Sequence, residues 1–391
     1  MALFEGIDLS SLGPALSDND VDGWLLFDFH GINPVVKRVV GYDGMATRRL
    51  FVWLPKAGKP VAIAHRIELQ GVEGFPGDIR PYAAWWELHR LLGEVVAGKR
   101  IAMEVSTEDA VPYLDRVPHG VVQLLEKLGA TVVPSAPLVS LFAARWSDGE
   151  LAGHRQAAEA LAEIARGTLR SVVNQVGQAR EAAVQRDVLE DMKSAGLATD
   201  HPPIVAFGAN AANPHYEPVE GSDALLEPDQ VVLLDLWGGP SRRTVFADQT
   251  WMGFAGTSPP EEVTKVWTVT RDARDAVVTR LEEASAEGRR VTGAELDDVA
   301  RHHIDGHGYG DAFVHRTGHS IDTDLHGSGP HLDNFETNDL REIIPGVGFS
   351  IEPGIYLTGR FGVRSEINVF LHEDRPEVTP VEPQRDLITQ A

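Results

Sequence analysis

Asp235, Asp248, His319, Glu352 and Glu366 place four carboxylates and one imidazole in the second half of a 391-residue chain. Four negative charges balance two divalent cations, and a single imidazole adds one softer ligand to a mostly hard oxygen site. A water between two such ions becomes a nucleophile, so these five residue types point to metal-assisted hydrolysis.

The surroundings of each residue decide how far that idea carries. VVLLDLWG, Val231 to Gly238, is apolar on both faces of an expected strand, which buries Asp235. A buried unpaired charge costs roughly several kcal/mol, and no basic residue lies in the strand, so a metal ion is a natural counter-charge. Taken alone, Asp235 reads more readily as an exposed or hydrogen-bonded residue at a strand end. Thirteen residues on, past the turn residues Gly238, Gly239, Pro240 and Ser241, the strand TVFADQTW carries Asp248. A hairpin would bring the two carboxylates together across its strands. FSIEPGIYL and GVRSEINVF set Glu352 and Glu366 inside apolar stretches, and Glu-Pro-Gly fixes a turn directly after the first glutamate. His315, His319, His326 and His331 follow His302, His303 and His307, so seven of the fifteen histidines fall within one short stretch. His315, His319 and His326 are kept as metal or proton-transfer candidates; the other four are set aside, those on the preceding helix as helix-face residues.

These residues need elements to carry them. The first part, 1–145, reads as a small α/β domain with one sheet. Its strands are WLLFDF, the hairpin pair RLFVWLP and PVAIAH, then IAMEV and TVVP with a helix between them around Val121 to Leu128. Near Trp146 the character changes. Ser147 and Glu150 form a capping-box pattern that opens an Ala-rich helical run, and the second domain, 146–391, alternates helices and strands, with another capping box at Thr292 and Glu295. The composition, 43% hydrophobic and 24% charged, is that of a globular chain, and no apolar run approaches the ~18–20 residues that span a bilayer. A net charge of −23 opposes binding to nucleic acid or anionic lipid. The start MALFEGIDLSSLG lacks the features of a secretory leader and the chain has no cysteine, so a cytoplasmic location is expected.

GHSIDTDLHG, SIEPGIY and GVRSE together resemble the pita-bread metallopeptidases, which include methionine aminopeptidase, aminopeptidase P and prolidase. The first part resembles the creatinase-type N-terminal domain of aminopeptidase P and prolidase, more by architecture than by motif. The resemblance implies a creatinase-like α/β domain followed by an α+β pita-bread catalytic domain. It also implies two divalent ions, with Mn2+ first and Co2+ or Zn2+ as alternatives. Asp235 would hold one ion, Asp248 and Glu366 would bridge both, and His319 with Glu352 would complete the second. Glu352 would also accept the proton of the bridging water. His326 would stabilise the tetrahedral intermediate, His215 would contact substrate, and His315 would support the metal site. Tyr356 and Arg364 would orient Asp235. The implied activity is hydrolysis of Xaa-Pro bonds in small peptides, as a dipeptidase or aminopeptidase, by a homodimer. A bond before proline has no N–H for a peptidase to grip, and a metal site needs none.

The chain departs from the family pattern in four places. The two aspartates are thirteen residues apart rather than the usual eleven, which predicts a longer hairpin tip with the faces of both strands kept. Gln249, Thr250, Trp251 and Met252 replace the usual run after the second aspartate, so substrate contacts on that strand are expected to differ. Arg341 lies near, but not at, the position of the arginine that holds a dipeptide carboxylate in prolidases. Ser365 stands where an apolar residue usually separates Arg364 and Glu366. Two alternative functions accompany the leading one: hydrolysis of another amide or a phosphotriester on the same fold, and a non-enzymatic pita-bread binding protein. Creatinase has the same fold without the metal set, and retention of all five ligand types argues against it.

Overall fold

The run of apolar residues from Gly23 to Asp28 forms a strand, β1, buried along its whole length because its alternating side chains enter two different cores. Trp24 and Leu26 pack into one cluster with Val36, Val39 and Val139, while Leu25 and Phe27 pack into another with Leu88, Leu92 and Leu125. The computed structural model describes residues 3–4, 7–42, 46–242 and 244–390, so that only Leu3 and Phe4 of the opening MALFEG stretch are included. The chain divides into two compact units, Met1–Ala144 and Arg145–Ala391.

In the first unit, helix α1 (Leu9–Asp18) precedes β1. There follow α2 (Pro34–Val40), β2 (Leu50–Pro55), β3 (Val61–His65), β4 (Asp78–Tyr82), α3 (Trp85–Val96), β5 (Arg100–Met103), α4 (His119–Lys127), β6 (Thr131–Pro134) and α5 (Ala136–Phe142). One six-stranded sheet runs β4-β3-β2-β1-β5-β6, antiparallel only where β2 meets its two neighbours.

Glu104, just past β5, is fully buried and ties four elements together. Trp24 Nε1 and Ser135 Oγ donate to its Oε1 at 2.6 and 3.1 Å, and Asn33 Nδ2 donates to Oε2 at 3.1 Å. Burial pushes the carboxyl up to about 7 from its ordinary 4.5, against the pull of those hydrogen bonds. The neutral form is thus favoured in the fold. Its contribution to stability is fully present below pH 4.5 and is lost as pH rises through 7, by up to about 3 kcal/mol. Urea unfolding of wild type and Glu104→Gln should therefore show the difference between them moving in the variant's favour from pH 5 to pH 8. A difference that stays constant over that range would refute the assignment, whatever fixed offset the amide introduces.

The second unit contains α6 (Asp148–Val172), α7 (Glu181–Ser194), β7 (Ile204–Phe207), β8 (Val231–Gly238), β9 (Ala247–Phe254), α8 (Glu261–Ala286) and α9 (Gly293–Gly306). The strands β10 (Ser320–Ile321), β11 (Gly348–Ile351), β12 (Gly354–Leu357), β13 (Phe361–Arg364), β14 (Ile367–Leu371), β15 (Pro376–Thr379) and β16 (Ile388–Thr389) complete it. They form two four-stranded sheets, β16-β9-β8-β7 and β10-β11-β14-β15, and the hairpin β12-β13.

Both capping boxes close reciprocally. Ser147 N donates to Glu150 Oε2 at 2.7 Å and Glu150 N to Ser147 Oγ at 3.3 Å; Thr292 and Glu295 do the same at the start of α9. The apolar stripe of α6, Ala158, Leu161, Ala165 and Leu169, packs in one core with Val232, Leu234 and Leu236 of β8 and Trp251 of β9. That core takes one face of the hairpin and leaves the other to Asp235 and Asp248. The second hairpin strand begins at Ala247, three residues after Thr244, and Gly239, just past β8, bridges to Ala198 instead.

Candidate metal centre

On the free face of the β8-β9 hairpin, Asp235 pairs with Thr250 and Trp237 with Asp248. Side chains two residues apart share a face, so Asp235 and Asp248 sit diagonally on the same side, thirteen-residue spacing notwithstanding. Asn368 clamps the backbone of Asp248, its Oδ1 accepting from Asp248 N and its Nδ2 donating to Asp248 O, each at 2.9 Å. His319 comes from just before β10, Glu352 from the end of β11, and Glu366 from the short link between β13 and β14.

Gly318 lets the histidine segment approach. A Cβ there would stand 2.0 Å from Ser350 O, so only glycine allows His319 N to donate to Ser350 Oγ at 2.9 Å. The same hydroxyl donates to Glu352 Oε1 at 3.0 Å, which fixes two candidate ligands through one serine. Trp146 Nε1 also donates to Ile321 O at 2.7 Å, two residues beyond His319.

Ligand atoms of Asp248, His319 and Glu366 all lie within 4.8 Å of one another. His319 Nε2 is 3.3 Å from both Asp248 Oδ2 and Glu352 Oε1. Donors held ~2.1 Å from a shared ion have about that separation from each other. The opposite ring nitrogen, Nδ1, faces Ser320 O at 3.2 Å, which makes it the protonated one and leaves Nε2 as a lone-pair donor. Arg364 donates from Nη2 to Asp235 Oδ2, and from Nε to Thr250 Oγ1 at 2.7 Å; Thr250 Oγ1 in turn donates to Glu366 Oε2 at 2.7 Å. Among the described residues, Asp235 Oδ1 and Glu366 Oε1 are buried with no hydrogen-bond partner.

The electrostatics ask for more positive charge than the side chains supply. Burial pushes Asp235 up to about 7, raises Asp248, and drives Glu366 well above the carboxylate range, with neighbouring carboxylates adding to the effect on Asp235 and Glu366. Burial acts on Glu352 in the same direction, but the positive charge of His319, in its doubly protonated metal-free form, and of Arg364 outweighs burial and holds it low. One guanidinium cannot neutralise three buried carboxylates and the half-buried Glu352. The donor set, its separations and the two orphaned oxygens fit hard divalent cations.

His315 Nδ1 faces Arg316 O at 2.7 Å, and its Nε2 meets Tyr356 Oη at 2.8 Å. Arg364 also acts electrostatically on the tyrosine and donates to Asp235, so His315, Tyr356, Arg364 and Asp235 stand side by side. His326 is exposed, with its ring 4.3 Å from that of His319; when His319 is protonated, its charge, ahead of desolvation, lowers the affinity of His326 for a proton. His215 is exposed and close enough to act electrostatically on His326. His303 and His307 face each other at the C-terminal end of α9, ring centroids 4.7 Å apart and tilted by 39°.

A model of metallopeptidase family M24 matches residues 152–373, the stretch that contains all five candidate ligands. The chain belongs to metallopeptidase family M24. Membership implies divalent metal as the resident cofactor. A similar protein is the Xaa-Pro dipeptidase of Lactobacillus delbrueckii subsp. lactis, 35% identical over 205 residues, which are 51% of this chain and 47% of that one. The chain thus spans about half the length of this relative. The probable dipeptidase PepE of Mycobacterium tuberculosis is 29% identical over 326 residues, covering 82% of this chain and 80% of that one. Among solved structures, dipeptidase PepE from Mycobacterium ulcerans superposes with a TM-score of 0.75 at 22% identity, covering 98% and 97% of the two chains. Recombinant prolidase from Thermococcus sibiricus gives 0.69 at 24% identity, covering 97% and 98%. These likenesses establish the two-domain pita-bread fold over nearly the whole chain.

Within that fold, several residues stand differently from the sequence expectation. Gln249 and Trp251 point away from the centre: Gln249 Nε2 donates to Ala158 O at 2.8 Å and Trp251 Nε1 to Gln249 Oε1 at 2.9 Å. Arg341 is fully engaged, donating to Asp339, Ser328 O and Gly329 O, which removes it as a holder of substrate carboxylate. Thr250, read in the sequence only as part of a run expected to alter substrate contacts, touches Glu366 and Arg364; its position two residues after Asp248 was the signal. His331, set aside above, is fully buried and accepts from Ser320 N at 3.1 Å beside His319. Trp237 shares the ligand face opposite Asp248, its Nε1 donating to Asp200 Oδ1 at 2.8 Å.

Proposed function

We propose that the chain is a dinuclear metal-dependent peptidase that hydrolyses Xaa-Pro bonds, as a dipeptidase or an aminopeptidase. The cluster of three buried carboxylates, a buried imidazole and the half-buried Glu352, with two oxygens left unpartnered, carries the proposal. The names of its relatives support the substrate class. Asp235, Asp248 and Glu366 would hold one ion, and Asp248, Glu366, His319 and Glu352 the other. When bound, such ions supply Lewis acidity toward a carbonyl and lower the pKa of water toward 7.

The protein's own groups do the rest. Glu352 has Oε1 occupied by Ser350 Oγ, so its second oxygen is the one available to take a proton. His326, exposed beside His319, is placed to donate to an oxyanion developing on the substrate, with His215 close by. Arg364, held by Thr250, keeps Asp235 oriented without occupying its Oδ1. Mn2+ is the preferred ion, as a hard cation in an oxygen-rich site. The active unit is read as a cytoplasmic homodimer; Ile32, Ile67, Trp85 and Trp86 give the first unit exposed apolar surface for association.

Chelation should abolish hydrolysis of Xaa-Pro peptides and Mn2+ should restore it; activity that survives chelation would falsify the mechanism. Running Xaa-Pro beside Xaa-Pro-Yaa peptides in the same assay separates dipeptidase from aminopeptidase. A monomeric mass by light scattering at micromolar concentration would remove the dimer.

A further inference from the structure

Behind the ligand cluster lies a guanidinium that touches none of the candidate ligands. Arg274 on α8 is 1% exposed. Its Nε and Nη2 are taken by Asp275 at 2.8 and 2.6 Å. Its Nη1 turns inward, donating to Ser365 Oγ at 2.8 Å and to Gln384 O at 3.0 Å.

Both acceptors are joints of the metal centre. Ser365 lies between Arg364, which holds Asp235 and Thr250, and Glu366, and its own N–H donates to Pro353 O at 3.2 Å, the residue after Glu352. Gln384 grips both backbone groups of Met252 on β9, accepting from its N at 2.8 Å and donating to its O at 2.7 Å. Met252 is two residues beyond Thr250 and four beyond Asp248 on the ligand strand. One planar fork therefore fixes the segments that carry Glu352, Glu366, Asp248 and, through Arg364, Asp235.

Energetics favour a directional purpose. Taking a guanidinium out of water costs several kcal/mol, and apolar side chains of similar volume commonly stabilise such sites better. What they lack is a rigid set of donors at fixed angles. Ser365 is the residue that departs from the apolar family pattern, and its hydroxyl is what Arg274 reaches.

We infer that Arg274, acting through Ser365 and Gln384, is a positioning residue that sets the separation of the ligands and so the affinity of the centre for divalent ions. This rests on the dinuclear reading above. The experiment measures Mn2+ dissociation constants of the full-length chain at 25 °C by competition with a fluorescent chelator, alongside melting of the metal-free protein and the kcat and KM of Xaa-Pro hydrolysis. Ser365→Ala, which removes one hydroxyl, and Arg274→Lys, which keeps charge but not the fork, should each weaken the less tightly held ion by about 10–100-fold. At subsaturating Mn2+, kcat should fall with KM little changed. The double variant Arg274→Met/Ser365→Val should recover metal-free stability relative to Arg274→Met without recovering metal affinity.

Dissociation constants within twofold of wild type in Ser365→Ala and Arg274→Lys, or full recovery of affinity in the double variant, would show that Arg274 only fills space. Should Arg274 variants fail to fold, Ser365→Ala decides alone. A wild-type chain that takes up no divalent ion overturns both this inference and the proposed function, whereas tight wild-type binding with unaffected variants overturns this one only.

Discussion

Asp248→Asn should reduce kcat/KM for Xaa-Pro peptides by about a thousandfold or more and make the metal-free protein more stable. The first effect follows from losing a ligand placed to serve both ions: metal-based charge stabilisation is worth roughly several kcal/mol, and each 1.36 kcal/mol is tenfold in rate. The second follows from the burial that raises the pKa of Asp248 and the crowding of Asp235, Glu352 and Glu366 around it. Without metal the cluster is under strain from its own charge, and removing one carboxylate relieves on the order of 1 kcal/mol. The Asn368 clamp grips the backbone of residue 248, so the strand register survives the substitution. Kinetics at saturating Mn2+, metal content, and melting with and without chelator read all of this. A variant with near-wild-type turnover, or one that melts well below wild type in chelator, would sink the assignment.

Asp297→Ala should cost the second unit about 3–5 kcal/mol, the range seen when one member of a buried charged pair is deleted. Asp297, on α9, is fully buried, and its carboxylate accepts from Arg301 Nε and Nη2 at 2.9 and 3.0 Å, from Thr317 N and Oγ1 at 2.9 and 2.7 Å, and from Asn334 N at 3.2 Å. Alanine would leave a guanidinium packed against the rings of Phe313 and Phe335 without its counter-charge, and buried donors of Thr317 without an acceptor. The damage reaches the metal centre, because Thr317 O accepts from Glu352 N at 2.7 Å. Asp297→Asn, which keeps the shape and part of the acceptor capacity, should lose less. Urea unfolding followed by circular dichroism gives the comparison, and a loss below about 1 kcal/mol for the alanine variant would contradict it.

The sequence was informative wherever the physics is local or where charge meets an apolar stretch. Ser147 with Glu150 and Thr292 with Glu295 sit three residues apart, so the boxes that open α6 and α9 are legible as text. A carboxylate inside an apolar strand needs a partner, and for Asp235, Asp248, Glu352 and Glu366 together with His319 the balance of charge suggested metal, while their order and neighbours, through the family resemblance, carried the reading. Strand period alone kept Asp235 and Asp248 on one face across a lengthened tip.

Tertiary structure decided which polar groups became supports and which became available. Arg341 lies near, but not at, the position of a carboxylate-holding arginine, and the fold shows why it does not serve: Asp339 and two carbonyls of the preceding loop occupy it. His331 looked dispensable, yet it braces Ser320. Arg274 and Ser365 are 91 residues apart, and Trp146 and Ile321 are 175 apart. Such bonds depend on which faces meet once helices and strands have packed, and no local propensity encodes that. The sequence by itself named the candidate ligands and the chemistry they would admit, because burying their charge demands compensation. Only the fold decided how firmly those ligands are held, because the groups that hold them lie far away along the chain.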